Sequence, residues 1–170
     1  IDYSISGQTI KSMFGVNERH DCLSLKKDGV VVFSKTCNIK ETLLVDSDVA
    51  FQDCSLVELS NNASLIFVGG KVSITSEEGC KTQISGDGTG GIAFIDSPKL
   101  LITNVDFDNL STPKVPGVLF TGAVTAVTSE VEISNTLISN SNSEDGLNLV
   151  RSRYRLNNVI VENSFSDAVD

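Results

Sequence analysis

Apolar and polar residues alternate in short runs along most of the chain, and three of those runs repeat one another. Leu100–Asn109, Val131–Asn140 and Tyr154–Asn163 each read apolar-x-apolar-x-Asn, then x-x-apolar-x-Asn. The first two start 31 residues apart and the next 23. A second unit falls between them: a small residue followed by apolar residues at alternate positions. It occurs at Gly91–Ile95, Gly117–Thr121 and Gly146–Val150, and begins again at Ala168–Asp170. Period-two alternation in such runs predicts strands with one buried face. Two or more strands in every 20–30 residues or so, repeated, predict the coils of a β-solenoid. A β-sandwich also has many short strands, but it does not demand asparagine at one register. The expected fold is therefore all-β, a right-handed parallel β-helix.

Asparagine tolerates the left-handed backbone region better than other non-glycine residues. A tight corner between two strands of a coil needs that conformation. Asn104, Asn135 and Asn158 are accordingly expected to stack as a ladder of corner residues.

The first half carries the pattern more weakly. Val30–Phe33, Ile39 to Val45, Val49–Phe51, Leu56–Leu59, Leu65–Val68 and Val72–Ile74 read as consecutive strands, punctuated by Ser, Asn, Asp and Gly. Residues 1–28 fit worst and are expected to form an N-terminal cap or irregular segment, with Thr9 to Val16 a short amphipathic helix or an odd strand. Residues 29–170 are expected to form the coils, most regular from about residue 80. Asp170 falls inside a strand repeat, so the sequence reads as a fragment with an open C-terminal end.

Composition sharpens this picture. The 170 residues are 40% hydrophobic but only 6% aromatic, with no Trp, so the core reads as stacked aliphatic rows. Net charge is −9 and the thirteen basic residues are scattered. That argues against a nucleic-acid partner, which requires clustered Lys and Arg. The longest apolar stretches, such as Gly29–Phe33, are far short of a membrane span, so no membrane insertion is expected. Four cysteines, Cys22, Cys37, Cys54 and Cys80, allow two disulfides in three connectivities. Their other reading is as small buried apolar residues in the core rows.

Gly86–Ser97, Glu144–Ser152 and Phe165–Asp170 resemble coils of bacterial right-handed parallel β-helix repeat proteins, the pectin-lyase-like superfamily. By pattern the resemblance covers residues from about 30 to 170. It implies a fold shared by polysaccharide lyases, hydrolases, C5-epimerases, phage tailspikes and non-catalytic surface domains. Similar segments accompany spore-coat-type and other cell-surface proteins. Such a fold does not fix a function.

Candidate chemistry gathers in the last two coils. Asp145 and Asp167 occupy equivalent positions, as do Asn148 and Asp170. Carboxylates stacked at the spacing of neighbouring strands repel unless a cation or Arg lies between them. Asp145 and Asp167 are thus Ca²⁺ candidates, or a glycosidase-like acid/base pair, or turn caps. Apart from that calcium, no cofactor is expected. Arg151, Arg153 and Arg155 share one face if their strand is continuous. There they would either neutralise a substrate carboxylate or pair with Glu130, Glu132 and Glu162. The ligand-facing candidates are Asp145, Asn148, Arg151, Asp167 and Asp170, and no catalytic residue is assigned.

His20, beside Asp21, has no nucleophile placed near it and reads as incidental. Gly86–Gly91 lacks the lysine and the following helix of a phosphate loop and reads as a turn. Asn62-Ala63-Ser64 and Asn109-Leu110-Ser111 match the glycosylation sequon. Ser111–Pro116 reads as an inserted loop before the Gly117 unit.

The expected function is a non-catalytic surface or extracellular module, a rigid scaffold presenting a side groove to glycans or proteins. Two alternatives stand beside it. One is a fragment of a polysaccharide-active enzyme completed by further coils. The other is an assembly domain that packs on other chains through its open end.

Overall fold

A computed structural model of the chain describes residues 7–14 and 20–170. Among the described residues the one helix is Gly7–Phe14, and strands predominate. They fall into three rows of parallel strands. The first row holds Val31–Phe33, Val49–Phe51, Val72–Thr75 and Leu100–Thr103, followed by the leading parts of Glu130–Ser139 and Arg153–Glu162. The second holds Thr36–Ile39, Leu56–Leu59, Thr82–Gly86 and Val105–Asp108, then the trailing parts of the same two long strands. The third is a six-stranded sheet of Leu43–Val45, Leu65–Val68, Ile92–Ile95, Gly122–Val127, Asp145–Val150 and Asp167–Val169. The first two rows join through Glu130–Ser139 into one eleven-stranded sheet. Leu23–Leu25 pairs antiparallel with Val31–Phe33. The repeat seen in the sequence is the pairing register itself, since Leu100 lies opposite Val131 and Val131 opposite Tyr154.

Alternation along the strands builds one core from all three rows. Val72, Ile74, Leu100, Ile102, Val131 and Ile133 enter it from the first row. Val57, Ile84, Phe107 and Ile138 enter from the second, and Leu65, Phe67, Ile92, Phe94, Val124 and Leu147 from the third. The few aromatics are concentrated here. Phe33 stacks on Phe51 at 4.3 Å and Phe67 on Phe94 at 5.2 Å, and Phe67 lies 6.0 Å from Phe33.

The turns between rows use left-handed residues, as tight reversals between strands require. Asn104, Asn135 and Asn158 have φ of 56°, 47° and 52°. Asn158 Nδ2 donates to Asn135 Oδ1 at 2.8 Å, and Asn104 Nδ2 donates to the Ser76 carbonyl at 2.7 Å. A second series, Asn109, Asn140 and Asn163, is also left-handed. There Asn163 Nδ2 donates to Asn140 Oδ1 at 3.1 Å and Asn140 Nδ2 to Asp108 Oδ1 at 2.7 Å. The final Asn of each ten-residue repeat is this second series.

Gly86 ends the strand Thr82–Gly86, and Asp87–Gly91 is the turn between the second and third rows. A Cβ on Gly90 would lie 1.7 Å from the Ala63 carbonyl oxygen, so only glycine lets the two turns stack. Asp87 braces the same turn. Its carboxylate accepts from Thr89 Oγ1 and from the Asn61 N–H at 3.0 Å. These bonds, the Thr89 hydroxyl first, hold its pKa below the usual 3.8. A depressed folded-state pKa favours folding while the carboxylate is ionised. The wild type should therefore exceed an Asp87→Asn variant in stability above pH 3.8. The gap should close as pH falls through the lowered value, in urea unfolding measured across an acid pH series.

The third row departs from simple alternation, because Leu65–Val68, Ile92–Ile95 and Gly122–Val127 are buried on both faces. Ile66, Val68, Ala93, Ile95 and Val127 form a second apolar cluster on its far side. The helix Gly7–Phe14 inserts Ile10 into that cluster. Its Gly7 N–H donates to Asp96 Oδ2 at 3.0 Å, and Lys11 lies 3.4 Å from Asp46. Val16 lies outside the described residues. In the first half, a break at 40–42 splits the expected run from Ile39 to Val45 into Thr36–Ile39 and Leu43–Val45.

One expectation fails here. Gly117–Thr121 is not the strand that follows Gly91–Ile95, because Ile92 pairs with Val124. The inserted loop continues to Thr121. Val115 and Phe120 fold back onto the second cluster, and Val115 bridges Val118 antiparallel. The strand is Gly122–Val127, one small residue and five further buried positions later. The apolar residues of the loop satisfy the same pattern because they too have a buried face to cover.

Candidate functional site

Asp145 and Asp167 are register partners on neighbouring strands. Their surroundings differ. Asp145 is 3% exposed and Asn148 2%, whereas Asp167 and Asp170 are exposed. Asn148 sits one residue past Leu147, which enters the core, so alternation turns it to the other face. Its Nδ2 donates to Asp145 Oδ2 at 3.1 Å and to Thr121 Oγ1 at 2.5 Å. An amide donor thus occupies part of the Asp145 carboxylate, and the end of the inserted loop helps enclose the pair. Asp170 is tied through its backbone, donating to the Leu147 carbonyl and accepting from Leu149 N–H. Of the five ligand-facing candidates, the structure brings Asp145 and Asn148 into side-chain contact.

Arg151 lies at a left-handed turn with φ 48°, outside the strand that begins at Arg153. The three arginines are therefore not on one continuous strand. Arg153 lies opposite Glu130 in the register and 3.6 Å from its carboxylate. Arg155 lies opposite Glu132. These residues line a shallow depression of about 320 Å³ together with Lys99 and Tyr154. Tyr154 is 62% exposed and holds the register of Leu100 and Val131, which enter the core, while Arg153 and Arg155 alternate to the opposite face.

The cysteines form two disulfides, Cys22–Cys37 and Cys54–Cys80, with Cα separations of 5.5 and 5.6 Å. The first ties the segment before Leu23–Leu25 to the second row. The second joins two successive turns between the first and second rows, where later turns carry Asn104, Asn135 and Asn158. His20 lies against the first disulfide, and its Nδ1 accepts from Cys22 N–H at 3.2 Å. His20, Cys22 and Cys37 are the one group of three or more close metal-ligating side chains among the described residues. Asp145 and Asp167 belong to no such group. The spacing His20-x-Cys22 was the available signal, but nothing in the sequence placed Cys37 beside it.

Both sequon asparagines, Asn62 and Asn109, are exposed. Asn109 Nδ2 donates to the Gly86 carbonyl at 2.9 Å, and the Asn62 N–H donates to Thr89 Oγ1 at 2.9 Å. Among the described residues no helix is long and apolar enough to cross a membrane. No family model, no curated protein and no solved structure matches the chain.

Proposed function

We propose that the chain is a right-handed parallel β-helix of pectin-lyase-like type acting as a rigid, non-catalytic extracellular or surface module that presents its charged side face to glycans. Three parallel rows with a recurring register support the coil. Parallel strands joined by crossovers are right-handed in about 98% of cases, which supports the hand. Two disulfides support an oxidising compartment.

The observation that carries the non-catalytic reading is the pairing of charges. Arg153 already meets Glu130, Arg155 faces Glu132 across the register, and Asp145 is bonded to Asn148. A lyase or hydrolase needs an acid, base or cation that meets substrate. The outward residues Lys99, Glu130, Glu132, Arg153 and Arg155 instead suit polar contacts with sugar hydroxyls.

A polysaccharide panel tests this by measuring binding and newly formed chain ends on the same samples. The expected result is binding without cleavage, weakened about tenfold or more by Arg155→Ala, the loss of one well-placed contact. New chain ends would overturn the non-catalytic reading, and absence of binding would overturn the glycan reading.

Exposed Tyr154, Ile160, Phe165 and Val169 on the last two strands and the turn joining them favour a second reading, assembly through apolar contacts. That reading expects a mass in solution that rises with concentration.

A further inference from the structure

We propose that reduction of Cys22–Cys37 converts this corner of the molecule into a zinc-class metal site made of the two cysteine sulfurs and the His20 imidazole. The candidate ligand atoms of the three residues lie within 4.8 Å of one another. Tetrahedral zinc bound to sulfur at about 2.3 Å and nitrogen at about 2.0 Å needs ligand atoms slightly under 4 Å apart. Opening the S–S bond lets the sulfurs separate to that distance by side-chain rotation.

The backbone frame does not depend on the disulfide. Leu23 N–H donates to the His20 carbonyl at 2.9 Å, and Ser34 N–H donates to the Cys22 carbonyl at 2.8 Å. Cys37 is held within Thr36–Ile39, paired with Leu56–Leu59. The three ligands therefore stay close when the covalent link is gone. Cys22 and Cys37 are 6% and 3% exposed, which keeps solvent from most of the sulfur surface. His20 is half-buried at the edge of an open depression of about 460 Å³, which leaves room for water as the fourth ligand. Nδ1 accepts from Cys22 N–H, so metal bound through Nε2 would keep that contact and metal bound through Nδ1 would replace it.

The chemistry balances as follows. A dithiol supplies two electrons and two protons and becomes a disulfide, or a phosphine supplies two electrons while water gives its oxygen to the phosphine oxide and its two protons to the sulfurs; in either case the S–S bond breaks and two thiols form. Zn²⁺ then displaces both thiol protons to water as two Zn–S bonds form. Exchange with an added small-molecule disulfide, which takes up the two electrons and leaves as two thiols, re-forms Cys22–Cys37, removes both sulfur ligands and releases the metal.

Titration of the full chain with Co²⁺, oxidised and phosphine-reduced, reads the site through thiolate-to-cobalt and tetrahedral d–d absorption. One Co²⁺ per reduced chain is expected, displaced by Zn²⁺, with none bound to the oxidised chain. His20→Ala should weaken binding by about tenfold or more, and Cys22→Ser with Cys37→Ser should abolish it. A chain lacking Cys54 and Cys80 should bind as the wild type does. Equal binding by the oxidised chain or by the Cys22/Cys37 variant overturns the proposal. So does a reduced chain that shows no tetrahedral signal, or one that unfolds and is not restored by Zn²⁺.

Discussion

Replacing Cys54 and Cys80 together by alanine should lower unfolding stability by about 3.5 kcal/mol, the closure entropy of a loop of that length. The bridge joins residues 26 apart in sequence. Cys54 stands at a left-handed turn, φ 57°, and its N–H donates to Ser76 Oγ at 3.0 Å. Ser76 Oγ in turn shares a hydrogen bond with Thr82 Oγ1 at 2.8 Å. The native turn is thus braced without the bridge, so the loss should come chiefly from a freer unfolded chain. Each kcal/mol shifts Tm by about 2–4 °C in a domain this size, which gives a fall of about 7–14 °C. Urea unfolding of oxidised wild type and double variant measures the difference. A loss under about 1 kcal/mol would mean that this closure does not limit the unfolded chain.

Phe67→Ala should cost about 3–5 kcal/mol, the range for removing a buried aromatic ring. Phe67 is 1% exposed and sits at the junction of two stacked pairs, on Phe94 and beside Phe33 and Phe51. Those rings come from the first and third rows, so their contact joins the two sheets. The strands on either side are tied by their ladders and cannot collapse fully into the gap. Phe165→Ala is the control. That ring is 86% exposed, and its removal should change stability by no more than about 0.5 kcal/mol. Comparable losses for both variants in thermal and urea unfolding would overturn the assignment of the core.

The parallel rows were legible in the sequence because their strands have one wet face. Glu132, Glu58 and Asp106 alternate with buried Val131, Val57 and Phe107, and that contrast reveals a strand. In the third row Ile92–Ile95 is buried on both sides, so it gives no contrast and its register is hidden. This is why Gly117–Thr121 resembled the next strand: an apolar loop and a doubly buried strand have the same composition. The left-handed turns at Asn104, Asn135 and Asn158 were readable from residue type. The pairing of the cysteines was not, because it depends on which turns come to lie side by side. The candidate site was legible in part. The equivalence of Asp145 and Asp167 follows from the repeat, but the enclosure of Asp145 depends on a loop that ends at Thr121. His20 looked incidental because Cys37, its neighbour in space, lies on a different strand.

The inserted loop has a consequence for how such a chain can change over evolutionary time. Between Asn109 and Gly122 the backbone leaves and re-enters the stack, yet Phe107 still pairs with Ile138 and Ile92 with Val124. Length added at this bend is absorbed without shifting a rung on either side. Lineages can therefore lengthen, shorten or rewrite the bends independently of the ladders, so new binding specificities should arise there while the strands stay fixed.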